Sequence, residues 1–530
     1  MLAVSAAARI SSMRLEVQTP DEGVHLVSGY SILREGRFSL NAENPPVSKA
    51  LAALPLLWLN PDLPSKPGES WRDENSAAVS VPFLYRNRLP AETILFWGRM
   101  PSVLLALAFG AAFAIWVKRR AAAPAAIVAL GMFCADPNFI AHSRYVTSDA
   151  LGAYLFFFAL AAWWSYLESR RVAMLWIASI LAGAGVCTKF NLLLLLPLFF
   201  AAAWWKGGAM RAFAAHLAIV AGCVWAFHGF EARSVASDPP VRRFLDLTPE
   251  QVRAARELPR PAAALLDRDH AIGRAFHWTA RNAPVPAYSF WKGLYRLYNH
   301  SYFGHRAYLA GSVSERGWWY YFPVAFAVKT PLALLALLAA AAAVRGRGIA
   351  APLLAAPAVY FGVAMTGSID IGYRHLLPVL PFLYAWGAAR VRPAVGAILL
   401  LAATGEAAWI HPHYTAFFNA AAGGPAAGGG WLADSNNDWG QDLLKFRRHV
   451  EAGGLSDVCL DYFGSADRDY FAVPARPWEP GADCRIAASL TAIKLRLRPG
   501  LEQLERCEPE ARIGYTIYLY PRSCRIALPP

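Results

Sequence analysis

Long apolar runs separated by short polar turns dominate this chain. Runs close to 20 residues match the length of a helix that crosses a bilayer. They lie at about 94–117, 122–140, 149–167, 172–188, 190–205, 211–229, 318–344, 349–365, 375–389 and 393–410. The pattern predicts a polytopic α-helical membrane protein with about 10–11 transmembrane helices.

Basic residues cluster in alternate turns between these runs. The clusters are Lys118-Arg119-Arg120, Arg170-Arg171, Lys206, Arg211, Arg345 with Arg347, and Arg390 with Arg392. Cytoplasmic loops carry such an excess of Lys and Arg. The opposite turns are then outside: residues 19–92, 140–149, 188–191, 230–316, 367–375 and everything after 410. We expect a multi-pass protein of the plasma (inner) membrane, with its active site on the outer, periplasmic face.

The first 18 residues do not fit this alternation. Their apolar stretch is short and carries Arg9 and Arg14, which argues against a spanning helix. Outer placement of residue 19 with a cytoplasmic N-terminus requires an earlier crossing. We therefore expect an in-frame apolar stretch of about 20 codons upstream of Met1.

The polar stretch 19–49 is where chemistry is expected, because most of the chain after it is apolar. Thr19, Pro20 and Glu22 fit a helix start with a capping box. The adjacent acids Asp21 and Glu22 stand there, and the stretch ends at Lys49. The structural alternative is that Glu22 only caps the helix.

The tail after residue 410 has a different pattern. A Gly-rich linker leads to a helix near 440–451 and to strand-like runs at 457–463, 485–495 and 511–520. We predict two parts: a transmembrane catalytic domain, 1–410, with a first outer loop 19–92 and a long outer loop 230–316, and an extracytoplasmic α/β domain, 411–530. Four cysteines of this tail permit two disulfides in three pairings: Cys459, Cys484, Cys507 and Cys524.

Composition and charge narrow the class further. Of the 530 residues 56% are hydrophobic and 17% charged, whereas soluble chains are about a quarter charged. The net charge of +14 lies in the short basic turns, so it indicates membrane topology and not nucleic-acid binding. No Gly-rich phosphate loop, CxxC pair or GxSxG motif occurs.

Further polar residues occupy the predicted outer turns. They are His142, Arg144, Asp149, Lys189, Asn191, His300, His305, Arg306, Asp370, Arg374 and His375. Asp149 follows Thr147-Ser148 and also fits a helix cap, and His142 alone is typical of a surface histidine. Lys329 lies inside an apolar run, where a charge indicates function unless it snorkels. The stretch from Asp434 to Asp442 has the wrong spacing for a calcium loop, and its Asp438 and Gln441 fit a capping box.

Several motifs together resemble a known family. They are Asp21-Glu22 with His25 and Gly29, Glu43-Asn-Pro-Pro-Val-Ser-Lys49, Thr-Ser-Asp149, Gly317-Trp-Trp-Tyr-Tyr-Phe-Pro, Gly372-Tyr-Arg-His-Leu-Leu-Pro and Asp434-Ser-Asn-Asn-Asp-Trp-Gly-Gln-Asp. In this order they resemble the bacterial phospholipid-carrier-dependent glycosyltransferases of the GT-C fold. Protein O-mannosyltransferases and the lipid A aminoarabinose transferase are relatives of that family.

The resemblance implies a sugar donor on a polyprenyl phosphate. It places Asp21, its partner Glu22 and the second acid Asp149 at the catalytic positions. Lys49 takes the position of the lysine that follows His-Pro-Pro in the family. Chemistry adds that Asp21 would serve as the base, and that Lys49, Arg374 and His375 would hold the donor phosphate. Asn44 stands where the family commonly has a His that could help to hold a metal ion. The cofactor is therefore unknown, and the sequence does not support a divalent metal.

The sequence thus predicts a glycosyltransferase, either a hexosyl or a pentosyl transferase. It would move a sugar from a polyprenyl-phosphate carrier, which lies among the membrane lipids, to an acceptor hydroxyl. The acceptor can be a protein, a lipid or a glycan, and mannosyl transfer to protein is the finer prediction. The alternatives are a transporter or lipid flippase, which would have paired discontinuous helices, and a non-catalytic membrane scaffold.

Overall fold

A computed structural model of the chain describes residues 1–64, 71, 74–247, 271–344, 351–524 and 526. The predicted basic pair Arg345 and Arg347, and parts of both outer loops, lie outside the described residues. The helices are α1 (Leu2–Met13), α2 (Pro20–Glu35), α3 (Pro46–Ala53), α4 (Leu56–Leu59), α5 (Ser76–Tyr85), α6 (Ala91–Arg120), α7 (Ala123–Ala135), α8 (Pro137–His142), α9 (Asp149–Ser169), α10 (Val172–Val186), α11 (Leu195–Lys206), α12 (Met210–Phe227), α13 (Pro239–Leu245), α14 (Ala271–Asn282), α15 (Tyr288–Phe303), α16 (Tyr321–Lys329), α17 (Leu332–Ala343), α18 (Ala351–Ala364), α19 (Leu380–Arg390), α20 (Pro393–Ile410), α21 (Gly424–Ala427), α22 (Leu443–Ala452) and α23 (Leu490–Lys494). The strands are β1 (Ala232–Arg233), β2 (Val285–Pro286), β3 (Ala307–Leu309), β4 (Ser312–Ser314), β5 (Val458–Asp461), β6 (Arg476–Pro477), β7 (Arg485–Ser489), β8 (Ala511–Ile513) and β9 (Ile517–Tyr520).

Every predicted spanning run forms one or two helices, as a polytopic membrane protein requires. Within the described residues α6, α9, α12 and α20 are long and apolar enough to cross a bilayer, and shorter apolar helices occupy most of the other runs. The run 318–344 differs from the prediction of one span. It forms α16 and α17, which meet at 105°. The cause lies at Thr330-Pro331, because proline disfavours helical backbone at the preceding residue, and Thr330 is extended.

The N-terminal segment forms a packed helix despite its charge. α1 contacts α6, α7 and α8, and the Arg9 side chain is fully buried within it. The Arg9 Nε donates to Ser143 Oγ at 2.7 Å, and its Nη1 donates to the Ser5 carbonyl at 3.1 Å. These hydrogen bonds offset part of the cost of burying the guanidinium, whose Nη2 has no partner among the described residues.

The basic turns meet at one end of the helices. Arg120, at the end of α6, pairs with Glu168 of α9 at 3.1 Å. Arg170 donates to the Gly207 carbonyl at 3.0 Å, and Arg390 donates to the Ala341 carbonyl at 3.0 Å. We call this the basic end. The polar turns that include Asp149 lie at the opposite ends of the same helices.

The first loop is more helical than the sequence indicated. Residues 76–85, predicted as loop, form α5, whose start is capped by the Asn75 side chain accepting from the Ala78 N–H at 3.1 Å. α2 and α3 cross closely at Gly29: a Cβ there would lie 2.0 Å from the Lys49 carbonyl oxygen. Only glycine permits this approach.

The tail forms a small α/β domain, as predicted. Its five-stranded sheet has the order β6-β5-β7-β9-β8, with β5 parallel to β6 and β7, and β9 antiparallel to β7 and β8. The run 485–495 was wrong as a single strand, because it forms β7 followed at once by α23. Of the three pairings left open, the structure has Cys459–Cys484 and Cys507–Cys524.

Candidate active site

A cavity of about 580 Å³ opens at the helix ends opposite the basic end. The wall includes parts of the first loop, the turn before α9, the segment after α10, helix α15, the turn before α19 and the tail. Its polar lining includes Asp21, His25, Glu43, Asn44, Asp149, Lys189, Asn191, His300, His305, Arg306, Arg374, His375 and Asp434. Four of the six predicted site residues therefore come together here: Asp21, Asp149, Arg374 and His375.

Arg374 lies between the two predicted acids. Its Nη1 is 3.0 Å from Asp21 Oδ2 and 3.6 Å from Asp149 Oδ2. The guanidinium carbon lies 4.3 Å from the centre of the Trp439 ring, a cation–π contact. The Arg374 side chain is 11% exposed, so this held cation faces the cavity with much of its water removed.

Asp149 begins α9 and pairs with a second cation. Its Oδ1 forms an ion pair with Lys189 Nζ, and its side chain is only 3% exposed. Ser148 is the residue that precedes the helix as its N-cap. Asp149 thus has the position expected of a helix-start acid and also lines the cavity between Lys189 and Arg374.

Two histidines stand beside Lys189 and Arg374: His142, which is buried, and His375, which is partly buried. Burial, reinforced by Lys189 and Arg374, lowers the pKa of His375 well below its usual range, so its ring is neutral. His375 Nε2 has no hydrogen-bond partner among the described residues. Interpreting His142 as a surface histidine was wrong: it is buried, and burial lowers its pKa to about 3.

Glu22 lies outside the cavity lining, although Asp21 beside it lies inside. Its fully buried carboxylate accepts two hydrogen bonds from Arg99, at 2.7 and 2.6 Å. It also accepts the Thr19 N–H at 2.9 Å and the Val146 N–H at 3.0 Å. Glu22 therefore caps the start of α2, as predicted, and also joins it to the turn before α9.

Lys49 is also outside the lining. Its Nζ donates to the Asn41 carbonyl at 2.8 Å, and its side chain is 1% exposed. Burial lowers the pKa of Lys49 to about 7, and Glu43 opposes the fall. In this position Lys49 supports the first loop from behind, and Lys189 is the lysine that lines the cavity.

Lys329 does not snorkel. It is buried, and its Nζ donates to the Thr415 carbonyl at 3.0 Å and to the Asn436 carbonyl. These bonds tie the end of α16 to the tail. A charge inside an apolar run thus serves here as a link between two segments.

Sequence reasoning assigned no site role to Asp434, Lys189, His300 or His305. Asp434 opens the tail motif that was interpreted as structural, and it lines the cavity with a backbone φ of +58°. His300 Nε2 lies 3.0 Å from His305 Nδ1. The order of the motifs was the signal for Asp434, whereas nothing in the local pattern distinguishes the other three.

The capping box predicted for Asp438 and Gln441 is wrong, because Asp442 is the N-cap of the helix that follows. The buried Asp438 carboxylate instead accepts the Gly440 N–H at 3.2 Å and the Thr491 N–H at 2.9 Å. Helix α22 begins at Leu443, three residues after the expected start. In the described part of the chain, no group of three or more His, Cys, Asp or Glu side chains is arranged to hold a metal ion.

Among known proteins, only solved structures gave a match to this chain. No family model matches the chain, and no curated protein matches it. Among solved structures, ArnT from Cupriavidus metallidurans bound to undecaprenyl phosphate is 14% identical, with a TM-score of 0.32, over 100% of this chain and 98% of that one. ArnT in the apo state is 13% identical, with a TM-score of 0.33, over 99% and 97%.

The motifs indicated the same group of transferases, so the predicted resemblance is confirmed as a resemblance. Identities and TM-scores this low do not assign an activity.

Proposed function

We propose that this protein is a membrane glycosyltransferase that takes a sugar from a polyprenyl-phosphate carrier and transfers it to an acceptor hydroxyl. The observation that carries the proposal is the wall of the cavity, where Arg374 and Lys189 face inward on either side of Asp149. A partly buried pair of cations at the end of apolar helices suits a phosphate whose tail lies in the lipid.

The chemistry follows from the charges. Breaking the bond between the sugar's anomeric carbon and the phosphate oxygen leaves a second negative charge on the lipid phosphate. Arg374 and Lys189 would stabilise that charge, and the neutral His375 would donate a hydrogen bond from its unpartnered nitrogen. Asp21 and Asp149 hold the guanidinium where the charge develops.

The acceptor hydroxyl must lose a proton, and a carboxylate of the cavity would take it. The sequence names Asp21, and that assignment stays a prediction. The ion pair with Arg374 gives Asp21 a different task, which is to orient the cation. Lys49 and Glu22 would act on the site through the first loop, because neither lines the cavity.

The finer features belong to the same proposal. Basic turns are typical of the cytoplasmic side, so the cavity and the tail domain would lie on the outer face of the plasma membrane. The two disulfides of the tail fit an oxidising compartment. Mannosyl transfer to protein is the first donor and acceptor combination to try.

The transporter alternative has one supporting feature, the bent pair α16 and α17. A transporter built from repeats would need a matching broken helix in its other half. The part of the chain that the structure describes contains one such bent pair. An assay of sugar transfer separates the two functions.

The test uses the purified full-length protein in lipid nanodiscs. Undecaprenyl-phosphate sugars labelled in the sugar, mannose first and then other hexoses and pentoses, serve as donors. Envelope fractions from cells that lack the gene serve as acceptors. We expect transfer by the wild type, and a rate lower by about 100- to 1,000-fold in Arg374→Ala, because one charge-stabilising donor is lost.

Arg316→Ala is the matched control, since Arg316 is exposed and does not line the cavity. Absence of transfer with every donor, together with absence of undecaprenyl phosphate binding, would overturn the proposal.

A further inference from the structure

The tail domain supplies a carboxylate to the cavity. Asp434 lies in the first turn of the Asp434–Asn436 segment. This segment is fastened to the turn that carries Arg374: Ser435 Oγ donates to the Ile371 carbonyl at 2.6 Å, and the Tyr373 N–H donates to Asn436 Oδ1 at 2.9 Å. Asp434 is thereby held beside the cation that we assign to the donor phosphate.

The carboxylates of the cavity are not equivalent. Asp21 and Asp149 both pair with cations. Glu43 is exposed at the rim. Asp434 is 9% exposed and forms no ion pair in the described part of the chain. Among the described residues it is therefore the one buried carboxylate lining the cavity that forms no ion pair.

Hydrogen bonds hold Asp434 in place. Oδ1 accepts the Ser435 N–H at 2.5 Å, and the Asp434 N–H donates to Thr491 Oγ1 at 3.1 Å. The Ser435 hydroxyl also acts on the carboxylate as a hydrogen-bond partner, which lowers the pKa of Asp434. The backbone is therefore held at both sides of Asp434, and the carboxylate lines the cavity where a ligand would meet it.

We propose, resting on the function above, that Asp434 is the base that takes the proton from the acceptor hydroxyl. The acceptor oxygen then forms its bond to the anomeric carbon as the bond between that carbon and the phosphate oxygen breaks. The electron pair leaves with the lipid phosphate beside Arg374. The proton passes to the Asp434 carboxylate and from there to water.

The electrostatics of the site agree with this role. Burial raises the pKa of Asp434 to about 6, and Arg374 opposes the rise. The charged and titratable groups around it are Arg374 and Asp21 across the cavity, Asp438 on its own segment, and Tyr321 of α16. A base with a pKa near 6 is ionised at neutral pH and still holds a proton well enough to accept one.

The apolar lining on the same side suits an acceptor. Phe463, Leu495 and Leu497 of the tail line the cavity together with Asp434. The donor cations come from the membrane part and this wall from the tail, so donor and acceptor would enter from different parts of the chain.

Asp434→Asn tests the proposal, because Asn tolerates a positive φ and preserves the shape of the side chain. In the nanodisc transfer assay we expect kcat/KM to fall by about 100- to 10,000-fold. Undecaprenyl phosphate binding should stay within about twofold of the wild type, because Asp434 contacts no donor cation. Asp483→Asn, an exposed change in the same domain, should transfer normally.

The pH profile separates Asp434 from Asp21. In the wild type kcat/KM should fall as the pH drops through about 6, because the base becomes protonated. That fall should persist in Asp21→Asn and vanish from the residual activity of Asp434→Asn. Normal transfer by Asp434→Asn, or loss of the fall in Asp21→Asn alone, would overturn this inference and leave the transferase proposal standing. Failure of the wild type both to bind undecaprenyl phosphate and to transfer sugar would remove the proposed function itself.

Discussion

At the scale of single residues, two adjacent acids have opposite roles. Asp21 is 39% exposed and reaches Arg374, whereas Glu22 is fully buried on Arg99. Neighbouring positions on a helix point about 100° apart, so one acid faces the cavity and the other faces the core. The carboxylate that pairs with Arg374 at the cavity and the one that pairs with Arg99 in the core are separated by this rotation alone.

Glu22→Gln should destabilise the fold strongly. The change leaves the buried Arg99 guanidinium without its counter-charge, which costs about 3–5 kcal/mol for a buried pair. Asp21→Asn is the matched control and should cost less than about 1 kcal/mol, as expected for a more exposed pair. Thermal unfolding in detergent measures both, and equal effects would contradict the different roles of the two acids.

Lys49 should make stability depend on pH. Its pKa is lowered to about 7 in the folded state, so between pH 7 and 10.5 the unfolded chain binds more protons there than the folded chain. Stability from this group therefore rises with pH across that window, by up to about 1.4 kcal/mol per pH unit.

Lys49→Met should remove that part of the rise. The comparison is the melting temperature of wild type and variant between pH 7 and 9. Parallel curves would show that Lys49 is not buried as described.

At the scale of elements, the tail domain depends on its disulfides. A small domain gains about 2–4 kcal/mol from a bridge, and here both bridges lie in the strand-rich tail. Labelling of the denatured, unreduced protein should find three free thiols, Cys134, Cys187 and Cys223. All seven cysteines should react after reduction, whereas seven before reduction would contradict the pairing.

The apolar runs were enough to place the elements of the membrane part, because burial in lipid requires helices. The pattern did not resolve 485–495 into strand and helix, since short apolar runs of the two kinds look alike. It also missed the bend after Thr330. For the site, the motifs located Asp149 and Arg374. They could not show that Lys49 lies behind the cavity or that Lys189 faces it, because tertiary packing decides that.

At the scale of the whole molecule, the cavity and the basic end should lie on opposite sides of the membrane. Ser312→Cys, at an exposed hairpin near the cavity end, should react with a membrane-impermeant maleimide in intact cells. Ser169→Cys, beside the basic Arg170-Arg171 turn, should react only after the cells are opened. The reverse pattern would contradict the orientation.

The central claim is that the lipid phosphate is the leaving group of a sugar transfer. Phosphorus NMR of an undecaprenyl-phosphate sugar, incubated with the protein in nanodiscs and with acceptor, follows that bond directly. We predict conversion of the phosphodiester signal to the monoester of undecaprenyl phosphate, in equal amount to the sugar gained by the acceptor and nearly absent with Arg374→Ala. A phosphodiester that stays intact while the labelled lipid moves between leaflets would contradict the account.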